Sequence, residues 1–173
     1  MIIRKATAED IPAIDRIYQR IHDQEEAGLC TIGWERDVYP TEETACASVK
    51  RNDMYVLEED GQIVAAAMIN QEQVPVYYEV DWTLPAQDNE VLVIHTLVVD
   101  PECSRRGYGK RFVKYYCRLA EERGCKTLRL DTNERNETAR AMYRSLGFAE
   151  TAIVPCVFNG IQGVNLVCLE KPV

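Results

Sequence analysis

Two glycines and four cations are packed into Ser104-Arg105-Arg106-Gly107-Tyr108-Gly109-Lys110-Arg111, between an apolar run and a helical pattern. Glycines at a strand-to-helix turn let several backbone amides converge on one anion, and the helix N-terminus adds partial positive charge. A Cβ here would block a phosphate, which is the physical use of Gly107 and Gly109. Arg105, Arg106 and Lys110 add full charges, and the amide of Tyr108 completes the turn. The spacing is not that of a Walker loop, which needs Gly-x-x-x-x-Gly-Lys followed by Ser or Thr. It is not a dinucleotide fingerprint either, because no third glycine stands in register and no strand-end acid follows.

The elements around this turn follow from periodicity. Val91 to Val99 is a nearly unbroken apolar run, as expected of a strand buried on both faces. Phe112, Val113, Tyr116, Leu119 and Ala120 line one helix face, and Gly124 is a stop signal. Thr127 to Leu130 reads as the next strand, and Asn136 to Leu146 as a short helix ended by Gly147. Upstream, Ile2-Ile3-Arg4 reads as a first strand. Thr7-x-x-Asp10 then opens a helix on Ile11, Ile14, Ile17, Tyr18 and Ile21, with Pro12 in its first turn. A second helix is capped by Thr41. Asp60-Gly61 joins two strands, 54–57 and 63–69, as a tight hairpin. Segment 71–90, polar and carrying Pro75 and Pro85, reads as an excursion over the surface. Asn159-Gly160 turns a closing hairpin. Alternating strands and helices imply one α/β domain, residues 1–173, with a mixed sheet of about six or seven strands flanked by helices.

Composition narrows the function. Lys plus Arg number 20 against 28 Asp plus Glu, a net charge of −8. An acidic chain repels phosphate backbones, so nucleic acid is not an expected partner. Seven cysteines and two histidines include no Cys-x-x-Cys pair, which argues against a disulfide framework or a metal site. The N-terminus has no apolar leader segment, and no stretch approaches the roughly 20 apolar residues of a membrane span. A cytoplasmic protein with reduced thiols is expected, with no membrane partner; a homodimer is compatible with this composition.

Residues 91–148 together resemble the GNAT superfamily of N-acetyltransferases. That family carries Gln/Arg-x-x-Gly-x-Gly/Ala after a strand, then a helix, a strand, and an Asn-x-x-Ala-x-x-x-Tyr helix ending in Gly-Phe. Gly107-x-Gly109, Asn136-x-x-Ala139-x-x-x-Tyr143 and Gly147-Phe148 match, while Ser104 replaces the first Gln or Arg. The resemblance implies an acetyl-CoA cofactor whose pyrophosphate lies on the amides of Arg105 to Lys110. It implies a pantetheine arm paired with the backbone of Leu97, Val98 and Val99, where the central parallel strands splay apart. Asn136 would bond that arm, and Tyr143 would aim its hydroxyl at the thioester sulfur. A tyrosine packed in the core is the plainer reading of Tyr143.

The resemblance implies acetyl transfer to a primary amine, of a small metabolite or of a peptide or protein. The amine must lose a proton, and two residues are candidates to take it. His95 lies two residues before Leu97, hence on the same strand face, with an ordinary pKa of about 6.5. Asp131 ends the next strand. A buried core histidine and a strand-end acid are the plainer readings, and the sequence does not choose between them. Trp34, Glu35, Tyr39, Tyr77, Tyr78, Glu79, Trp82, Phe158 and Asn159 fall in segments that select the acceptor in this family, or else pack loops against the sheet. The alternative from another class is a non-catalytic acyl-CoA-binding sensor or scaffold.

Overall fold

The apolar runs become strands and the periodic segments become helices. A computed structural model covering residues 1–173 places β1 at Ile2–Lys5, α1 at Ile11–Glu26, α2 at Glu42–Lys50, β2 at Met54–Glu59 and β3 at Gln62–Asn70. It continues with β4 at Val91–Val99, α3 at Tyr108–Glu122, β5 at Thr127–Asn133, α4 at Glu137–Ser145, β6 at Ala149–Phe158 and β7 at Ile161–Pro172. Asp10 accepts the Thr7 amide at 2.8 Å and the Arg4 guanidinium at 2.7 Å, so one carboxylate both starts the first helix and ties it to β1. No helix is long and apolar enough to cross a membrane.

One sheet takes in all seven strands, in the order β1-β2-β3-β4-β5-β7-β6. Only β4 and β5 run parallel. On one face Phe112, Val113 and Tyr116 of α3 and Tyr143 of α4 pack against Leu92, Ile94, Leu128 and Leu130. On the other, Ile14, Ile17, Tyr18 and Ile21 of α1 cover Val56, Ala66, Met68 and Val98.

Segment 71–90 crosses the surface as expected, but it is also anchored to the sheet. Its one-turn 3₁₀ segment, Pro75–Glu79, buries Val76 and Tyr77, and with Val80 these close over Val91, Val93, Leu166 and Cys168. Two buried charges hold it there. Glu170 of β7 accepts from the Thr83 amide at 2.8 Å, the Thr83 hydroxyl at 2.6 Å and the Leu84 amide at 3.3 Å. Arg129 of β5, opposite Glu170 in the sheet, stacks its guanidinium 4.2 Å from the centre of the Trp82 ring.

The β4–β5 ladder is short. It pairs Val91 with Thr127, Leu92 with Leu128 and Val93 with Arg129, and then the strands part. Beyond that point β5 stays bonded to β7 as far as Asn133, and β4 stays bonded to β3 as far as Val99. The result is a fork. Tyr116 of α3, fully buried, sits at its base, with its hydroxyl 2.6 Å from the Leu92 carbonyl and 2.9 Å from the Arg129 carbonyl. One proton thereby serves two strands at the point where they separate. Tyr116→Phe leaves those buried carbonyls without it and is expected to cost about 1–3 kcal/mol, read as a Tm lower by several degrees. An unchanged Tm would show that the hydroxyl does not hold the fork.

Candidate active site

The fork opens into a cavity of about 240 Å³. Leu97, Val98 and Val99 of β4 form one wall, and Asp131, Asn136 and Tyr143 stand across from them. Ile32, Gly33 and Trp34, from the loop after α1, close the far end. That loop is held by Glu25, whose carboxylate takes the Ile32 and Gly33 amides at 2.7 and 2.8 Å. Because the ladder to β5 stops at Val93, the β5-facing backbone edge of Leu97 to Val99 has no strand partner. An extended polar chain laid in the fork would find that edge free to pair.

Ser104, where the glycine turn begins, borders this cavity, while Arg106, Gly107 and Lys110 border a shallow pocket with Ile2 and Ile3. Gly107 is the N-cap of α3 with φ of 81°, a left-handed conformation that disfavours a side chain, and a Cβ there would enter open space. The turn is therefore a bare array of amides at a helix start. Gly109 answers to a different constraint, since a Cβ there would lie 3.1 Å from Met142 Sδ, so its small size lets α3 and α4 pack. Tyr108 offers only its amide; its ring is buried in the core and its hydroxyl donates to Glu59. Arg105, Arg106 and Lys110 are exposed. Asn136 caps α4, its side-chain oxygen accepting the Ala139 amide at 3.1 Å, which orients its NH₂ as a donor for a ligand.

A second cavity, of about 370 Å³, is bordered by Tyr39, Met68, Asn70, His95, Asp131 and Phe158. Asp131 borders both cavities. It sits at the opening of the fork, and Tyr143 reaches the same opening from the α4 side.

The two base candidates part company here. His95 does not share a face with Leu97. Register slips between Ala66 and Met68 on β3, and Thr96 takes a φ of 51°. This bulge inserts one residue into the alternation, so Leu97 packs toward α3 while His95 faces the second cavity. Nor does His95 keep an ordinary pKa: burial lowers it to about 4, against a partial offset from Asp53. Its Nε2 lies 3.0 Å from Asn70 Oδ1, which also accepts the Glu72 amide, so Nε2 carries the proton and donates. His95 is a neutral wall of the cavity.

Asp131 moves the other way. Burial raises its carboxyl to about 6, opposed by a hydrogen bond donated by the Tyr77 hydroxyl at 2.8 Å. Tyr143 is raised far above the usual phenol range, first by burial and then by the charge of Asp131, so it stays protonated. A carboxylate that titrates near neutrality thus faces a phenol that does not ionise, across one opening.

Among the loop aromatics, Trp34 borders the first cavity and packs on Tyr39 at 6.0 Å, and Tyr39 meets Phe158 at 5.5 Å. Asn159 borders the second cavity. Trp82 is structural, and Tyr78 is exposed. Periodicity did not reveal the contact of Tyr77 with Asp131, which joins residues 54 apart, nor the buried Arg129 and Glu170 behind it.

A family model described as the acetyltransferase (GNAT) family matches residues 13–148. The ribosomal protein bS18-alanine N-acetyltransferase of Salmonella typhimurium is 38% identical over 70 residues, 40% of this chain and 47% of that protein. The match thus spans about half the length of that relative. An acetyltransferase of the GNAT family from Streptococcus agalactiae superposes with a TM-score of 0.82 at 22% identity, covering 99% of this chain and 95% of that one. A Salmonella typhimurium acetyltransferase solved with its cofactor acetyl-CoA superposes with a TM-score of 0.70 at 21% identity, over 99% and 93% of the two chains. With the glycine turn, the forked sheet and a family match that runs from α1 to the end of α4, the chain belongs to the acetyltransferase (GNAT) family.

Proposed function

We propose that residues 1–173 form one N-acetyltransferase domain that moves the acetyl group of acetyl-CoA to a primary amine. The observation that carries this reading is that Asp131 and Tyr143 line one cavity at the fork, close enough for the charge of Asp131 to act on the phenol. Acetyl-CoA supplies an acyl group activated as a thioester. The amides of Arg105 to Lys110 cradle its pyrophosphate, the free edge of Leu97 to Val99 pairs with its pantetheine arm, and the Asn136 NH₂ bonds that arm. The acceptor enters from the second cavity, between Tyr39, Phe158 and Met68. A peptide or protein amine suits this opening, as the name of the Salmonella relative, which acts on a ribosomal protein alanine, supports. A cytoplasmic setting suits seven unpaired thiols.

Each residue has a defined task. Asp131 is ionised above pH 6 and accepts the amine proton as nitrogen bonds to the carbonyl carbon. Tyr143 donates to the sulfur as the C–S bond breaks. A thiol pKa of about 8.5 lies well below that of this buried phenol, so the task of Tyr143 is to hydrogen-bond the developing thiolate rather than give up its proton outright. The products are an amide and a thiolate; the proton held by Asp131 then passes through solvent to the sulfur, leaving a free thiol and an ionised Asp131.

The test is thiol release from acetyl-CoA with a panel of amines and peptides. Asp131→Asn should lower kcat/KM by roughly 10²-fold or more and abolish a limb rising near pH 6, whereas His95→Gln should keep it. Loss of the limb in His95→Gln instead would reverse the assignment. Tyr143→Phe should lower kcat ~10²-fold with the KM for acetyl-CoA little changed. Gly107→Val should abolish acetyl-CoA binding by calorimetry while the fold survives; unchanged affinity would remove the pyrophosphate from the turn. Binding without turnover for any amine would favour a sensor over an enzyme.

Stability should move against activity. The folded-state pKa of Asp131 is raised from 3.8 to about 6, so the folded protein binds this proton more tightly than the unfolded chain does. That contribution is present below pH 3.8 and is lost as pH rises through 6. Asp131→Asn should therefore melt above the wild type at pH 8, with the advantage shrinking by pH 5. A variant less stable at pH 8 would contradict the burial cost.

A further inference from the structure

We propose that Tyr77 is the positioning residue of the base, its hydroxyl holding one carboxylate oxygen of Asp131 so that the other faces the incoming amine. This rests on the reading of Asp131 as the base. Tyr77 is 2% exposed and donates to Asp131 Oδ2 at 2.8 Å, which leaves Oδ1 free. Its own pKa is raised well above the phenol range by burial and by Asp131, so it acts only as a donor.

The placement of Tyr77 is built rather than incidental. The Trp82 indole NH donates to the Tyr77 carbonyl at 2.8 Å, and the two rings meet edge to face at 5.2 Å. Trp82 lies on Arg129, whose guanidinium also donates to Gln73 at 2.5 Å and whose Nε is buried without a partner. Glu170 holds Thr83 and Leu84, the residues that follow Trp82. Burying an arginine and a glutamate is costly, and a loop needed only as cover could close with apolar contacts alone. These charges fix the segment in one register on β5 and β7, and that register sets the Tyr77 hydroxyl on Asp131, two residues along β5 from Arg129.

The surroundings of Asp131 make the effect separable. The titratable groups nearest it are Tyr39, Tyr77, Tyr143, Cys156 and Cys168, on which its charge acts, and His95 across the cavity. The phenols and thiols are all raised, and His95 is lowered to about 4. Arg51 and Glu72 also border the cavity. Of the groups whose values burial moves here, only Asp131 is brought close to neutrality, to about 6. A donor to the ionised form lowers a carboxyl pKa, so removing it raises the value.

The experiment compares wild type, Tyr77→Phe and Asp131→Asn, using an acceptor amine that is neutral across the pH range. Tyr77→Phe should move the rising limb of kcat/KM up by about one pH unit. At pH 6 that is a loss of about fivefold in kcat/KM, and at pH 9 less than about twofold. The Asp131 side-chain carbon, followed by NMR in labelled protein, should shift its titration equally. A purely structural role would lower Tm without moving either. If Tyr77→Phe does not fold, 3-fluorotyrosine at position 77, a stronger donor of nearly the same shape, should move the limb downward. An unmoved limb and titration in a folded protein would overturn the proposal while Asp131→Asn still lost its limb. If Asp131→Asn kept both limb and rate, the base reading would fall and this proposal with it.

Discussion

The separation of β4 from β5 after Val93 and Arg129 is the constraint on which the rest of the molecule depends. Parallel strands in the middle of a sheet ordinarily continue to pair, because unpaired backbone groups in a buried position are costly. Here each strand keeps its outer partner while losing its inner one. Tyr116 takes the carbonyls at the parting point, and the edges beyond line a cavity. Backbone polarity that would be a defect elsewhere becomes a place for an extended ligand to pair.

The same opening sets the electrostatics. Asp131 stands on the loop face of β5, and Tyr143 on a helix against the other face, so the two meet only because the sheet is open between them. Burial pushes both pKa values up, but from different starting points. The carboxyl is brought to the edge of neutrality, and the phenol is driven out of reach of ionisation. Two groups shifted in one direction by one cause thus take opposite roles, acceptor and donor. A buried carboxylate costs stability at neutral pH, and the surrounding clamp of Trp82, Arg129 and Glu170 is consistent with a site held against that cost.

Much of this was legible in the sequence. The apolar runs and the glycine and asparagine turns placed all seven strands and four helices, because period, caps and turn residues are local properties. The Gly107-x-Gly109 turn and the Asn136 to Tyr143 helix were recognisable for the same reason, their parts lying within one or two turns of chain. The resemblance to the family rested on these segments. Segment 71–90 is legible as a surface loop from its polarity and prolines, but nothing local says that two buried charges anchor it to the sheet.

What the sequence determined by itself, then, is which elements form and which residue types the cofactor turn presents. Tertiary structure decided which residues act. One inserted residue at Thr96 reversed the face of His95 relative to Leu97, a change that strand alternation alone cannot foresee. Burial then moved His95 to about 4 and Asp131 to about 6, exchanging their fitness as bases at neutral pH. Both effects arise from what surrounds a side chain once distant segments close over it, and neither is a property of its neighbours in the chain.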